Sequence, residues 1–265
     1  MLSRYGDVDE ALMVPALFSS AKGIFPTRQG LDMTATFLPM MIIMDAPRHT
    51  AMRAIVSRAF TPRRIVGLED SIRAMTTELF AGLDGASDCD LVQDVAGPLP
   101  AMVIADLLGI PRDDRAQFRT WSSTLVQGDP SSPDAMQSAL TAAASLYEYF
   151  TAFVAERRTH PTEDLITALV QAELGGQRLT DDELLGFCLL LLVAGHETTT
   201  NLIANAAVVL AEHSQARDRL GADTALIPNA VEELLRYDSP VQGLARTLTH
   251  DMTLHDGPMS EGDTV

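Results

Sequence analysis

In the run Ala194-Gly195-His196-Glu197-Thr198-Thr199, an acid, hydroxyls, an imidazole and a glycine interrupt a stretch that is otherwise apolar. Leu184–Val193 precedes it and Leu202–Leu210 follows it. Thr198 stands four residues after Ala194, so in a helix its hydroxyl can bond that carbonyl and loosen the turn. Gly195 removes a side chain where a flat ligand could approach the backbone, although glycine inside a helix costs roughly 1 kcal/mol relative to alanine. Glu197 offers a carboxyl group that could relay protons. On residues alone, the set reads as a proton-delivery station or as a polar, water-lined kink. The zinc motif H-E-x-x-H is not met, because position 200 is Thr. Phosphate-cradling glycine loops and the G-x-S-x-G nucleophile elbow are also absent from the sequence.

Two further groups of residues could carry chemistry. Glu233 and Arg236 form an i,i+3 acid–base pair, which on residues alone is an ordinary surface pair worth a few tenths of a kcal/mol. His49 and Arg53 lie one helical turn apart, and Arg48, Arg53, Arg58, Arg63 and Arg64 crowd one short segment of a chain whose net charge is −17. That concentration suits an anionic ligand group or an acidic protein partner. A solvated helix face is the other reading.

Most of the elements that must position these residues read at helical spacing. Helices are expected from Pro47 to Phe60 with Asp45 as N-cap, and from Pro62 towards Leu83 with Thr61 as N-cap. Others are expected at about 98–108, 113–125, 132–158 and 163–172. Thr180 and Glu183 form a capping box that opens a long helix running to about Glu212. A short helix follows His213 and Ser214, and another covers 230–237. Residues 88–92 read as a short extended piece. Arg246–Thr249 and Met252–Leu254 flank a polar turn as the two strands of a hairpin would. The expected fold class is mainly α, a single helix-rich domain over 1–265 with a long central helix and minor β-hairpins.

Composition narrows the function. The 265 residues are 46% hydrophobic but only 5% aromatic, so the core must be aliphatic. The acidic balance argues against nucleic acid, whose phosphates need a basic face. Cys89 and Cys188 form no C-x-x-C motif and no cluster with histidine, a reducing-compartment pattern. The apolar run from Leu184 to Gly195 is too short to cross a bilayer, and the N-terminus lacks a secretion signal. A cytoplasmic protein with no membrane partner is expected.

Taken in order, the marked residues resemble the cytochrome P-450 family of heme-thiolate monooxygenases, particularly its soluble bacterial class. Ala194 to Thr199 is similar to the family's oxygen-activation motif, and Glu233-x-x-Arg236 to its E-x-x-R pair. Asp45-Ala46-Pro47-Arg48-His49-Thr50 through Arg53, with Arg58-Ala59-Phe60-Thr61-Pro62, resembles its heme-flanking helix. Arg236-Tyr237-Asp238-Ser239-Pro240-Val241-Gln242 followed by Arg246-Thr247 is also close to its pattern. The resemblance implies heme b, with Ala194 and Gly195 against the porphyrin and His49, Arg53 and Arg246 holding the propionates. It implies that Thr198 and Glu197 are the catalytic residues, organising water and protons for O2 cleavage. Glu233 and Arg236 would belong to a buried structural network beneath the heme. Val193, Gly243 and Leu244 would meet a small apolar organic substrate, with the loop around Phe37-Leu38-Pro39 as a lid. A ferredoxin or flavin-type donor would supply electrons.

One element of the family pattern is not found. Its axial iron ligand is a cysteine in a glycine-rich, aromatic-containing loop beyond the E-x-x-R helix, and neither Cys89 nor Cys188 has those surroundings. No metal ligand is therefore assigned. The chain is expected to be an incomplete member, shortened at both ends. Two functions follow: a monooxygenase by family, or a catalytically inactive remnant or scaffold without thiolate-ligated heme.

Overall fold

A computed structural model describes residues 1–24, 38–126, 132–255 and 257–265. Eleven α-helices and four short strands are found among them: α1 Tyr5–Met13, α2 Arg48–Ala59, α3 Pro62–Val66, α4 Glu69–Ala81, α5 Pro98–Leu108, α6 Arg115–Val126, α7 Pro133–Thr159, α8 Leu165–Gln171, α9 Asp181–Glu212, α10 Ser214–Ala222 and α11 Ile227–Tyr237. The strands are β1 Phe18–Ser19, β2 Thr247–Leu248, β3 Met252–Leu254 and β4 Gly257–Met259. The fold is mainly α, as the periodicity anticipates.

Local chemistry explains where the helices start. The Thr180 hydroxyl accepts from Glu183 N at 3.2 Å, and the Glu183 carboxylate accepts from Thr180 N at 2.9 Å, so the capping box at the head of α9 is complete. Thr61 caps α3, with Pro62 in its first turn. Asp164 caps α8, accepting from Thr167 N at 2.7 Å. Asp45 does not cap α2. Its carboxylate turns instead to Ser19 Oγ and to Ser20 N, tying the β1 region to the entry of α2.

α9 is the organising rod. Its 32 residues span about 48 Å at the α-helical rise. Although the run Leu184–Gly195 alone is short, α9 as a whole is long and apolar enough to cross a membrane. Here its first half packs against α5, α6 and α7. The core formed there is aliphatic and phenyl-rich, with Leu108, Phe118, Leu146, Phe150, Leu184 and Leu192 all fully enclosed. Its second half has no buried residue beyond Thr200, and α10 and α11 have none.

Two further expectations are corrected. Residues 88–92 are not a strand: Leu91 enters a π-turn, Val92–Ala96, closed by Gly97 N donating to Val92 O at 2.8 Å. Arg246–Thr249 and Met252–Leu254 are not hairpin partners either. β2 pairs antiparallel with β1, Leu248 opposite Phe18, and β3 pairs with β4 around His255, whose φ is 49°. Segments of two or three residues carry no alternation from which a partner can be read.

Candidate cofactor site

The marked turn of α9 shows two different faces. Val193, Ala194 and Glu197 are exposed and Thr198 is half-buried, while His196 and Thr200 are buried. Helical spacing accounts for this, since 193, 194, 197 and 198 share one side of the rod. Thr198 Oγ1 donates to Ala194 O at 2.6 Å, the bond its spacing anticipates. A hydroxyl held this way keeps its lone pairs free to accept from water.

Gly195 lies close to the neighbouring helix α5. A Cβ added there would lie 3.1 Å from Ile104 Cδ1 of α5. Its missing side chain serves the close approach of two helices, and the open surface belongs to its neighbour Ala194.

The cationic residues are tied to this rod through a chain of contacts. Arg48 bonds the Glu183 carboxylate at 3.2 Å, joining α2 to the first turn of α9. The 3-10 turn Met41–Ile43 packs on both helices, and the Phe60 and Phe187 rings meet edge-on at 6.1 Å. Arg246 immediately precedes β2. Its neighbour Ala245 donates to Ile24 O at 2.7 Å, and Ser20 of that same segment is held by Asp45, one turn before His49.

What these residues lack is informative. Arg48 is paired, Arg58 donates to Glu173 O, and Arg64 donates to Ala59 O and Asp164 O. The five-arginine segment is therefore largely engaged within the chain. The side chains of Arg53 and His49 have no hydrogen-bond or ion-pair partner among the described residues, and the Arg246 guanidinium bonds only the carbonyl of Ala245 there. The chain has 36 acidic and 19 basic side chains, yet neither the Arg53 nor the Arg246 guanidinium meets a carboxylate among the described residues.

A dicarboxylate macrocycle needs cationic donors and a flat apolar approach. The resemblance assigns the first to Arg53, Arg246 and His49 and the second to Ala194 and Gly195. An axial thiolate is not supplied. Cys188 is fully buried in the core of α9, where burial pushes its thiol well up, and Cys89 is exposed ahead of the π-turn. No group of three or more metal-ligating side chains occurs among the described residues.

Glu233 and Arg236 are not buried. They form a two-point pair at 2.7 and 2.8 Å on the surface of α11, with side chains 58% and 69% exposed. Their mutual hydrogen bond holds the carboxyl below and the guanidinium above their ordinary ranges. Glu233 borders an apolar groove of about 420 Å³ between the end of α9, α10 and α11, lined by Val209, Leu210, Leu220 and Tyr237. Val193, Gly243 and Leu244 are all open to solvent. Of the expected lid, Phe37 lies outside the described residues, while Leu38 and Pro39 press on α9 at Gly186.

His196 and Thr200 had no assigned role in sequence. His196 Nε2 meets Gly97 O at 3.0 Å, and Thr200 Oγ1 donates to Ala96 O at 3.1 Å. Their i,i+4 spacing in an apolar helix was the available signal.

Comparison with known proteins gives concordant results. The cytochrome P450 family profile matches residues 130–265. Cytochrome P450 109 of Bacillus spizizenii is 42% identical over 267 residues, covering 99% of this chain and 63% of that protein. The vitamin D(3) 25-hydroxylase of Pseudonocardia autotrophica is 40% identical, covering 100% and 65%. The crystal structure of CYP109E1 from Bacillus megaterium in complex with testosterone superposes with a TM-score of 0.87 at 38% identity, covering 99% and 67%. The chain thus spans 63–65% of the length of these two curated relatives.

Proposed function

Because the chain belongs to the cytochrome P450 family, we propose that it forms the oxygen-activation and propionate-holding part of a heme monooxygenase site for an apolar organic substrate. The observation that carries this reading is the Thr198–Ala194 bond on the open face of α9, with Glu197 exposed beside it. When bound, the heme supplies the activation of dioxygen, with electrons from a ferredoxin or flavin-type donor.

The chain's own residues then have distinct tasks. Arg53, Arg246 and His49 hold carboxylates by charge-assisted hydrogen bonds. Ala194 keeps the approach to α9 low. Thr198 positions a water at its hydroxyl, and Glu197 passes protons from solvent to that water. Val193, Gly243 and Leu244 offer apolar contact to substrate. Compounds of the kind named for two relatives, vitamin D3 and testosterone, are the first substrates to try.

Titrating the purified chain with haemin, followed by its visible absorption, tests the reading. Saturable one-to-one binding is expected, weakened about tenfold by Arg53→Ala or Arg246→Ala, the loss of roughly one charge-assisted bond. With Cys188 enclosed and neither cysteine in the glycine-rich, aromatic surroundings of the family's ligand, the carbon-monoxide spectrum of the reduced complex should not be of thiolate type. Binding that is unsaturable, or indifferent to both arginines, would remove the reading.

A further inference from the structure

Pro98 and Pro100 follow the π-turn directly. Proline has no N–H, so Pro100 cannot donate to Ala96 O as the i+4 residue of a regular helix would. The π-turn takes its closing bond five residues on, from Gly97 N to Val92 O. This offset leaves the Ala96 carbonyl without its helical donor at a buried position, where an unmet acceptor is costly. The Gly97 carbonyl, at the N-cap of α5, faces Ala101 N four residues on and has a second lone pair to offer. α9 provides both donors from adjacent turns of one face: Thr200 Oγ1 to Ala96 O at 3.1 Å and His196 Nε2 to Gly97 O at 3.0 Å. The single Thr200 proton is shared between Ala96 O and the nearer His196 O of its own helix, at 2.9 Å.

We infer that His196 and Thr200 are positioning residues: a two-point latch on the π-turn that fixes the rotation of α9 and so presents Ala194, Glu197 and Thr198 on its open side. The imidazole is held as the Nε2–H tautomer, because a carbonyl faces that nitrogen. Its Nδ1 has no partner among the described residues although the side chain is fully enclosed. A core that tolerates this unmet acceptor retains the ring for its donor. Two donors four residues apart restrain both twist and slide of the helix, which one could not. Apolar contact with Ile104 alone would leave the rotation to packing.

The consequence for the cofactor rests on the heme reading above; the latch itself does not. Amide hydrogen exchange on the whole chain, read by mass spectrometry for His196→Leu, His196→Gln and Thr200→Val, separates them. His196→Leu and Thr200→Val should each speed exchange about tenfold in 92–103 and 192–202, leaving α4 and α7 unchanged. His196→Gln, which restores an amide donor, should recover most of the protection. Unchanged exchange, a rise spread evenly over all helices, or no rescue by glutamine would overturn the latch. Should His196→Leu not fold, Thr200→Val, nearly equal in shape, carries the same test. Haemin titrated into each variant addresses the consequence. Weaker binding with His196→Leu than with His196→Gln is expected, and equal binding alongside locally raised exchange would overturn the positioning role. A parent chain that takes up no haemin would sink the heme reading while leaving the exchange result to stand.

Discussion

His196 and Asp164 respond to acid in different pH windows. Burial holds the His196 imidazole below its ordinary value, only partly opposed by the bond to Gly97. A histidine titrating near pH 6.5 when unfolded and lower when folded binds more protons in the unfolded chain between those values. Stability is therefore full above about pH 6.5 and falls as the pH drops towards the folded pKa. For Asp164, burial pushes the carboxyl up, but bonds from Thr162, Thr167 N and Arg157 outweigh it and hold the carboxyl below its usual range. That contribution is present above about pH 4 and is lost only in stronger acid. Urea midpoints measured down from pH 8 should first decline below about pH 6.5, and His196→Gln should flatten that decline alone. An unaltered profile in the variant would show that His196 is not its source.

The length of α9 is set by chemistry that can be read in advance, namely the capping box at Thr180 and a continuous apolar face. Its depth in the molecule is set by two glycines whose neighbours cannot be read from sequence. At Gly186 an added Cβ would run into the backbone carbonyl of Pro39, whereas at Gly195 it would meet only the tip of Ile104. A rigid backbone cannot yield as a side chain can, so Gly186→Ala should destabilise by about 1–3 kcal/mol and Gly195→Ala by less. Chemical unfolding checks the order, and an equal cost at both would contradict it. The same contrast marks how far sequence reaches. Thr198 and its bond to Ala194 were legible, because i,i+4 geometry is local. The face taken by Gly195 was not, because Ile104 is brought there by the packing of α5. β1 and β2 were illegible as partners, since Phe18 and Leu248 are far apart in sequence and two residues make no pattern. The π-turn could have been suspected from Pro98 and Pro100. The mutual pair of Glu233 and Arg236 was legible, because i,i+3 geometry on one helix is local.

At the scale of the molecule, open apolar surface is unevenly spread among the described residues. Much of the open apolar surface lies between Val193 and Leu244, including Val208, Val231, Tyr237 and Val241. The core is correspondingly one-sided, gathered around the first half of α9.

Uncommitted guanidinium groups on so acidic a body also bear on kinetics. On the heme reading proposed above, a porphyrin carrying two carboxylates would approach a surface of net charge −17 and be repelled until within reach of Arg53 and Arg246. Dissolved ions mute that long-range repulsion over about 10 Å at 0.1 M, so added sodium chloride should quicken haemin capture. Once the anion is seated, the same ions compete with its short-range ion pairs, so release should quicken too. Stopped-flow traces at rising ionic strength should show both rates climbing together; an uptake rate that falls with salt would indicate capture guided by attraction from the outset.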